Sequence, residues 1–329
     1  MAIGIGRRHF ISALAVVAAL PVTARAQKDG RTRQIALLMR RPNDDPDVKA
    51  FLEAFHQGLQ KLGWTEGTNL RIDVRYASDA RQFEPLAKEL VSSQPDVILA
   101  QTTPLVAAVL RETQSIPIVF ATGVSDPVGS GFVQSLARPG GNVTGFLLYE
   151  EGIVGKWLAM LKEIAPTVKR AALIADPRNT PYDYYMRAAQ AAAPDLGIDV
   201  VPMRLDGAAD LEFAITSFAN VPNGGLIILP DAGNVANRDN LIRLAVRVQL
   251  PAVYPLRLYV TAGGLMSYST DRVDQFRQAA GYVDRILKGA NASDLPVQAP
   301  TRFETLVNLK AQRQSASMRP HRCWYAPTR

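Results

Sequence analysis

The stretch that decides the fold is S-D-P-V-G-S-G-F-V-Q-S-L-A-R-P-G-G-N-V-T-G, residues 125–145. Five glycines and two prolines fall within it, directly after the apolar run I-P-I-V-F-A at 116–121. Punctuation of that density belongs where a chain must turn, pass close to another backbone or change layer. Between the punctuation, 128–136 has the spacing of a short helix. The stretch reads as the mouth of a cleft at a strand end, followed by a crossing into a second lobe. An ordinary long loop of an α/β domain is the plainer alternative.

Working outward, the same rhythm lies on both sides. Upstream, strands at 34–39, 69–76, 96–100 and 116–121 alternate with helices at 48–62, 83–91 and 104–111. The first helix carries Val48, Phe51, Leu52, Phe55, Leu59 and Leu62 on one face and stops at Gly63. Downstream, strands at 171–175, 199–204, 225–229 and 252–254 alternate with helices at 154–164, 184–196, 211–218 and 238–248. A strand at 264–267, a helix at 273–287 and a last strand at 303–308 close the pattern. Strand–helix alternation of this kind predicts an α/β protein with two parallel sheets, each covered by helices on both faces.

A length of 329 residues fits two domains, and a hydrophobic fraction of 47% is that of a globular chain. The net charge is +7, but its location matters. Arg7, Arg8 and Arg25 lie in 1–26, and Arg313, Arg319, Arg322 and Arg329 in 311–329; neither segment has an acid, so 27–310 are neutral. A basic charge confined to the ends argues against nucleic acid as a partner. Residues 1–26 read as an export signal. Arg7-Arg8 precede an apolar run at 10–20, and A-R-A at 24–26 precedes Gln27. Either a general secretory or a twin-arginine signal fits, and both lead to the periplasm.

Chemistry-bearing residues are few. Cys323 is the single cysteine, and His9, His56 and His321 are the histidines. No H-x-x-x-H, C-x-x-C or G-x-S-x-G pattern occurs, so metal sites and Ser/Cys–His catalysis lack material, and neither a metal nor a cofactor is expected. An exported α/β enzyme remains a rival with little to support it. In doubly wound sheets ligands sit beyond the carboxyl ends of the strands. The candidate binding residues there are Thr102, Thr103, Thr122 and Ser125 upstream, and Asp176, Asn179, Asp231, Tyr254 and Tyr268 downstream. Hydroxyls beside a helix start suit a ligand carboxylate, carboxylates suit an ammonium, and tyrosines suit a ring. Each also has a plainer role: capping for the threonines and aspartates, packing for the tyrosines. Arg40-Arg41 reads more readily as a solvated loop than as an anion site, and the tyrosines at 182, 184 and 185 as a packing stripe.

Three motifs resemble one known family. D-P-V-G-S-G-F-V-Q-S-L-A-R-P-G-G-N-V-T-G (126–145), A-G-G-L-M-S-Y-S (262–269) and A-A-G-Y-V-D-R-I-L-K-G-A (279–290), the last running into D-L-P-V-Q-A-P-T-R-F-E-T-L-V-N-L-K (294–310), resemble the ABC-transporter substrate-binding proteins that include tryptophan/tyrosine-type transport components. The resemblance spans about 33–310. It implies a type I periplasmic-binding fold: two flavodoxin-like lobes, a three-strand hinge and a ligand clamped between them. It also implies an N-terminal lobe of 27–145 plus 258–290, and a C-terminal lobe of 146–257 plus 291–310. The expected protein is a monomer that binds an amino acid or a small aromatic or carboxylate compound without chemistry and hands it to an inner-membrane ABC permease. The chain lacks G-x-x-x-x-G-K-[ST], so ATP hydrolysis falls to a separate cytoplasmic ATPase. A periplasmic sensor module and a degenerate, non-binding copy stand as alternatives. The last stretch, 311–329, departs from the family: four arginines and no acid replace the expected helix and acidic finish, as a shifted reading frame would produce.

Overall fold

The structure is a computed structural model that describes residues 31–205 and 210–314. Residues 1–26, read above as an export signal, and the residues from 315 onward, with Cys323, lie outside the described residues. The chain runs β1 (Arg33–Met39), α1 (Pro46–Lys61), β2 (Leu70–Tyr76), α2 (Phe83–Ser92), β3 (Val97–Ala100), α3 (Thr103–Glu112), β4 (Ile118–Ala121) and β5 (Val143–Phe146). It continues α4 (Ile153–Ile164), β6 (Arg170–Ala175), α5 (Tyr182–Leu196), β7 (Asp199–Arg204), α6 (Leu211–Ala219), β8 (Gly224–Ile228), α7 (Ala232–Ala236), α8 (Arg238–Arg247) and β9 (Ala252–Tyr254). It ends α9 (Arg257–Thr261), β10 (Met266–Thr270), α10 (Arg272–Leu287), β11 (Phe303–Val307) and α11 (Leu309–Gln314).

Two sheets form, ordered β2-β1-β3-β4-β5 and β11-β10-β9-β8-β6-β7. Among the described residues all strand pairings are parallel except β10 with β11. The central strands β3, β4 and β8, and the edge strand β5, are buried along their whole length, as strands covered on both faces must be. In the first lobe, α1 and α10 cover one face around Phe51, Phe55 and Phe276, while α2 and α3 cover the other around Leu90, Leu105 and Phe120. In the second, α4 and α5 pack around Trp157 and Tyr185, and α6, α8 and α9 around Ile215, Leu241 and Tyr259.

Two expectations are corrected. The segment 128–136 forms turns rather than a helix. Asp126 accepts the Gly129 N–H at 2.7 Å, the Pro127 carbonyl accepts the Phe132 N–H at 2.8 Å, and Gly131 takes φ +72°. Two glycines in four residues cost too much backbone entropy for so short a helix. The resemblance implies a first lobe that takes in 258–290, with the strand near 264–267, but α9 and β10 belong to the second. Met266 pairs with Val253 and Ser267 with Tyr254, and β11 seals the far edge. Only α10 reaches the first lobe, stacking Phe276 on Phe51 at 4.8 Å and receiving the Trp64 indole N–H on Asp284 at 2.8 Å.

Three segments cross between the lobes: after β5, between β10 and α10, and from 296 to 302. The stretch 125–145 organises them. Val297 donates to the Leu136 carbonyl at 2.7 Å, Gln298 to the Gly145 carbonyl at 2.9 Å, and the Thr144 hydroxyl to the Leu295 carbonyl at 2.6 Å. Leu147 returns a bond to Gln298 at 2.9 Å, so the first and third crossings are zipped together.

Candidate functional site

The carboxyl ends of the two sheets meet between the lobes. On the first lobe β1 delivers Arg40, whose N–H donates to the Gln101 side chain at 2.9 Å. Its guanidinium donates to the Ala77 and Ser78 carbonyls and lies over the Phe83 ring at 5.0 Å. β3 ends in Gln101 and Thr102. Thr102 has the extended backbone of a helix cap, yet its hydroxyl makes no cap bond and is buried without a partner. Thr103 N–H and hydroxyl both reach the Gly123 carbonyl at 3.3 Å. β4 ends in Thr122, a β-branched residue held at φ +68° with its own hydroxyl buried and unpartnered. Unsatisfied buried hydroxyls and left-handed backbone are costly, and both tend to gather at functional sites.

On the second lobe, β6 ends at Asp176 and the loop after β8 carries Asp231. Asp176 is gripped by the Arg178 guanidinium at 2.6 Å, which holds its carboxyl below the usual range. Asn179 donates its N–H to the Asp176 carbonyl at 3.0 Å. Asp231 is 5% exposed and caps α7 by accepting the Asn234 N–H at 2.8 Å; the Thr180 hydroxyl lies 3.4 Å away. Burial pushes Asp231 up to about 6, and the charge of Asp176 adds to the rise. Tyr254 ends β9, fully buried, with its ring stacked on Tyr259 at 4.9 Å. Burial raises both phenols, and the Tyr259 hydroxyl has no partner.

The lobes touch. Tyr185 on α5 donates its hydroxyl to Ser125 at 2.5 Å, both side chains buried. Burial holds the Arg40 guanidinium below its usual value, and Asp231 from the opposite lobe is the leading charge opposing that shift. The cleft thus sets unpaired donors and an arginine against a buried carboxylate. It suits a molecule with a negative and a positive group.

The family of ABC transporter substrate binding proteins matches residues 41–322. The chain belongs to this family. Its two α/β lobes are those of type I periplasmic-binding proteins. It is 27% identical over 283 residues to a tyrosine-binding protein of Clostridioides difficile strain R20291, covering 83% of this chain and 77% of that one. A conserved domain protein from Vibrio cholerae superposes with a TM-score of 0.79 at 28% identity, over 87% of this chain and 95% of that one. The ABC domain from Streptococcus pneumonia in complex with L-Trp superposes at 0.78 with 20% identity, over the same shares.

In this substrate-binding protein Thr102, Thr103, Thr122, Ser125, Asp176, Asn179, Asp231 and Tyr254 all stand at the facing sheet ends. Tyr268 does not join them. It stacks on Phe303 at 5.2 Å, beneath Lys156, and packs against the core of α4 and α5. Its place on the strand was legible, but the face it takes depends on the pairing of β10 with β11. Sequence reasoning undervalued Arg40 and Tyr185 and missed Tyr259 and Tyr149. The Tyr149 hydroxyl donates to the Pro255 carbonyl across the first crossing. These residues bear no local mark; only the packing of distant segments brings them to the cleft.

Proposed function

We propose that this chain binds a small molecule, an amino acid or a small aromatic or carboxylate compound, reversibly between its lobes and delivers it to an inner-membrane ABC permease. Aromatic amino acids and small aromatic carboxylates are the first candidates. The observation that carries this reading is a pair of buried, unpartnered hydroxyls, Thr102 and Thr122, at the strand ends of the first lobe, together with the buried carboxylate of Asp231 at a strand end of the second, within electrostatic reach of Arg40. The two hydroxyls would receive the ligand carboxylate, and Asp231 its ammonium. The tyrosine- and tryptophan-related names of similar proteins support the same ligand class. The protein would work as a monomer in the periplasm after export, without chemistry. His56, the one histidine among the described residues, sits on α1 beside Glu66 at 3.7 Å and has no nucleophile there to serve. A thermal-shift and calorimetry panel of amino acids, aromatic acids and the corresponding amines tests the reading. A ligand at 100 times its Kd stabilises by about 2.7 kcal/mol. A folded protein that responds to none of them would overturn it.

A further inference from the structure

Arg272 opens α10 at the second crossing, and its placement is unfavourable on several counts. It occupies the first position of a 16-residue helix, where the peptide dipoles present positive potential. Its side chain is only 15% exposed. The carboxylate oxygen it approaches, Asp47 Oδ2, is 3.7 Å away and is already held by Arg41 at 2.7 Å. Its Nε is buried with no hydrogen-bond partner. Burial first, then the charge of Arg41, lowers the guanidinium to about 10. Contact with the Phe51 ring at 4.6 Å is a modest return for so much desolvation.

The group stands where the lobes meet. Tyr149, in the first crossing, is within electrostatic reach of both Arg272 and the orphan hydroxyl of Tyr259. Arg238, at the start of α8 in the second lobe, is within reach of both Asp47 and Tyr259. A buried guanidinium short of acceptors, with its Nε unpartnered at a crossing between the lobes, is a site that wants an oxygen.

We propose that Arg272 is a specificity-determining ligand contact that receives an oxygen at the far end of the ligand's side chain. The ligand class is then an α-amino acid whose side chain ends in a hydroxyl or carboxylate. The inference rests on the function proposed above. A site built to hydrogen-bond such an oxygen rejects the analogue lacking it, because its own buried groups are left unpaired.

Calorimetric titration of the whole mature chain with two matched pairs, L-tyrosine against L-phenylalanine and L-glutamate against L-norvaline, tests it. In at least one pair the oxygen-bearing member should bind roughly tenfold or more tightly, and Arg272→Met should abolish that preference. Arg272→Lys, which retains a charge with fewer donors, should weaken the preference and serves if the Met variant does not fold. Equal binding within both pairs, or a preference that survives loss of the guanidinium, would overturn the assignment. Binding of no amino acid at all would instead strike the proposed function.

Discussion

The hydroxyl of Tyr185, in the second lobe, lies 2.5 Å from Ser125 Oγ, in the first, and both residues are less than 5% exposed. This bond joins the two lobes outside the crossing segments. Ser125 opens the Gly/Pro-rich stretch, so the segment that anchors the third crossing also carries the first-lobe half of the contact. Tyr185→Phe removes the donor and leaves the rest of the ring in place beside Trp157 and Tyr184. The loss is about 1 kcal/mol, borne by the closed arrangement rather than by either lobe alone. Small-angle scattering of the ligand-free variant should show a larger radius of gyration, and ligand affinity should fall severalfold. An unchanged radius would show that the bond does not hold the lobes together.

Asp231 makes a pH signature. Its carboxyl titrates near 6 in the folded chain, against an ordinary 3.8. A raised acid is one that folding prefers protonated. The ionised group therefore costs stability above pH 6, the cost fades as pH falls from 6 to 3.8, and below 3.8 it is gone. That interval corresponds to roughly 3 kcal/mol. Asp231→Asn keeps a competent helix cap and removes the charge. The variant should melt higher than the parent at pH 7 to 8, with the difference vanishing near pH 4. A ligand held by its ammonium should bind the parent less tightly as pH drops through 6. A parent that melts higher than the variant at pH 8 would show that the carboxylate is stabilised rather than strained.

How much of this was legible follows from which interactions are local. The alternation of strands and helices is written in short-range periodicity, and so are the strand ends that carry Thr102, Thr122, Asp176 and Asp231. What was not legible depends on partners far along the chain. Nothing near 264–267 says that Met266 pairs with Val253 rather than with a first-lobe strand, and the lobe assignment of 258–270 and the face of Tyr268 both hang on that choice. Arg272 looks like any helical arginine until Asp47, Arg41 and Tyr149 are packed around it. Likewise 128–136 has helical spacing of apolar residues, but its glycines and the Asp126 turn outweigh that spacing.

Thr122 separates stability from binding. A threonine at φ +68° is strained, and its buried hydroxyl has no partner. Thr122→Gly relieves both, at the expense of a freer unfolded chain and a lost methyl. The free protein should melt at least as high as the parent, a net gain of about 1 kcal/mol. Ligand affinity should fall, since a donor is gone. A variant that melts lower and binds as well would show that the hydroxyl serves the fold.

Gly145, at the other end of the stretch, tests why the glycines are there. Its φ is +155°, and a methyl at Cα would lie 2.2 Å from the Phe120 carbonyl oxygen and 2.7 Å from the Phe120 nitrogen. Those are backbone atoms of β4, paired to Gly145 in the sheet, and they cannot yield without breaking the ladder that the Gln298 N–H also joins. Gly145→Ala should cost about 3 kcal/mol or more, lowering the melting point by roughly 5 to 10 °C. Gly141, four residues earlier, has nothing within 4 Å of a built Cβ. Gly141→Ala should therefore stay within about 0.5 kcal/mol of the parent. Equal effects at the two positions would mean that the glycines set chain flexibility; the expected contrast assigns Gly145 to the close approach of β5 to β4, on which the crossing between the lobes is built.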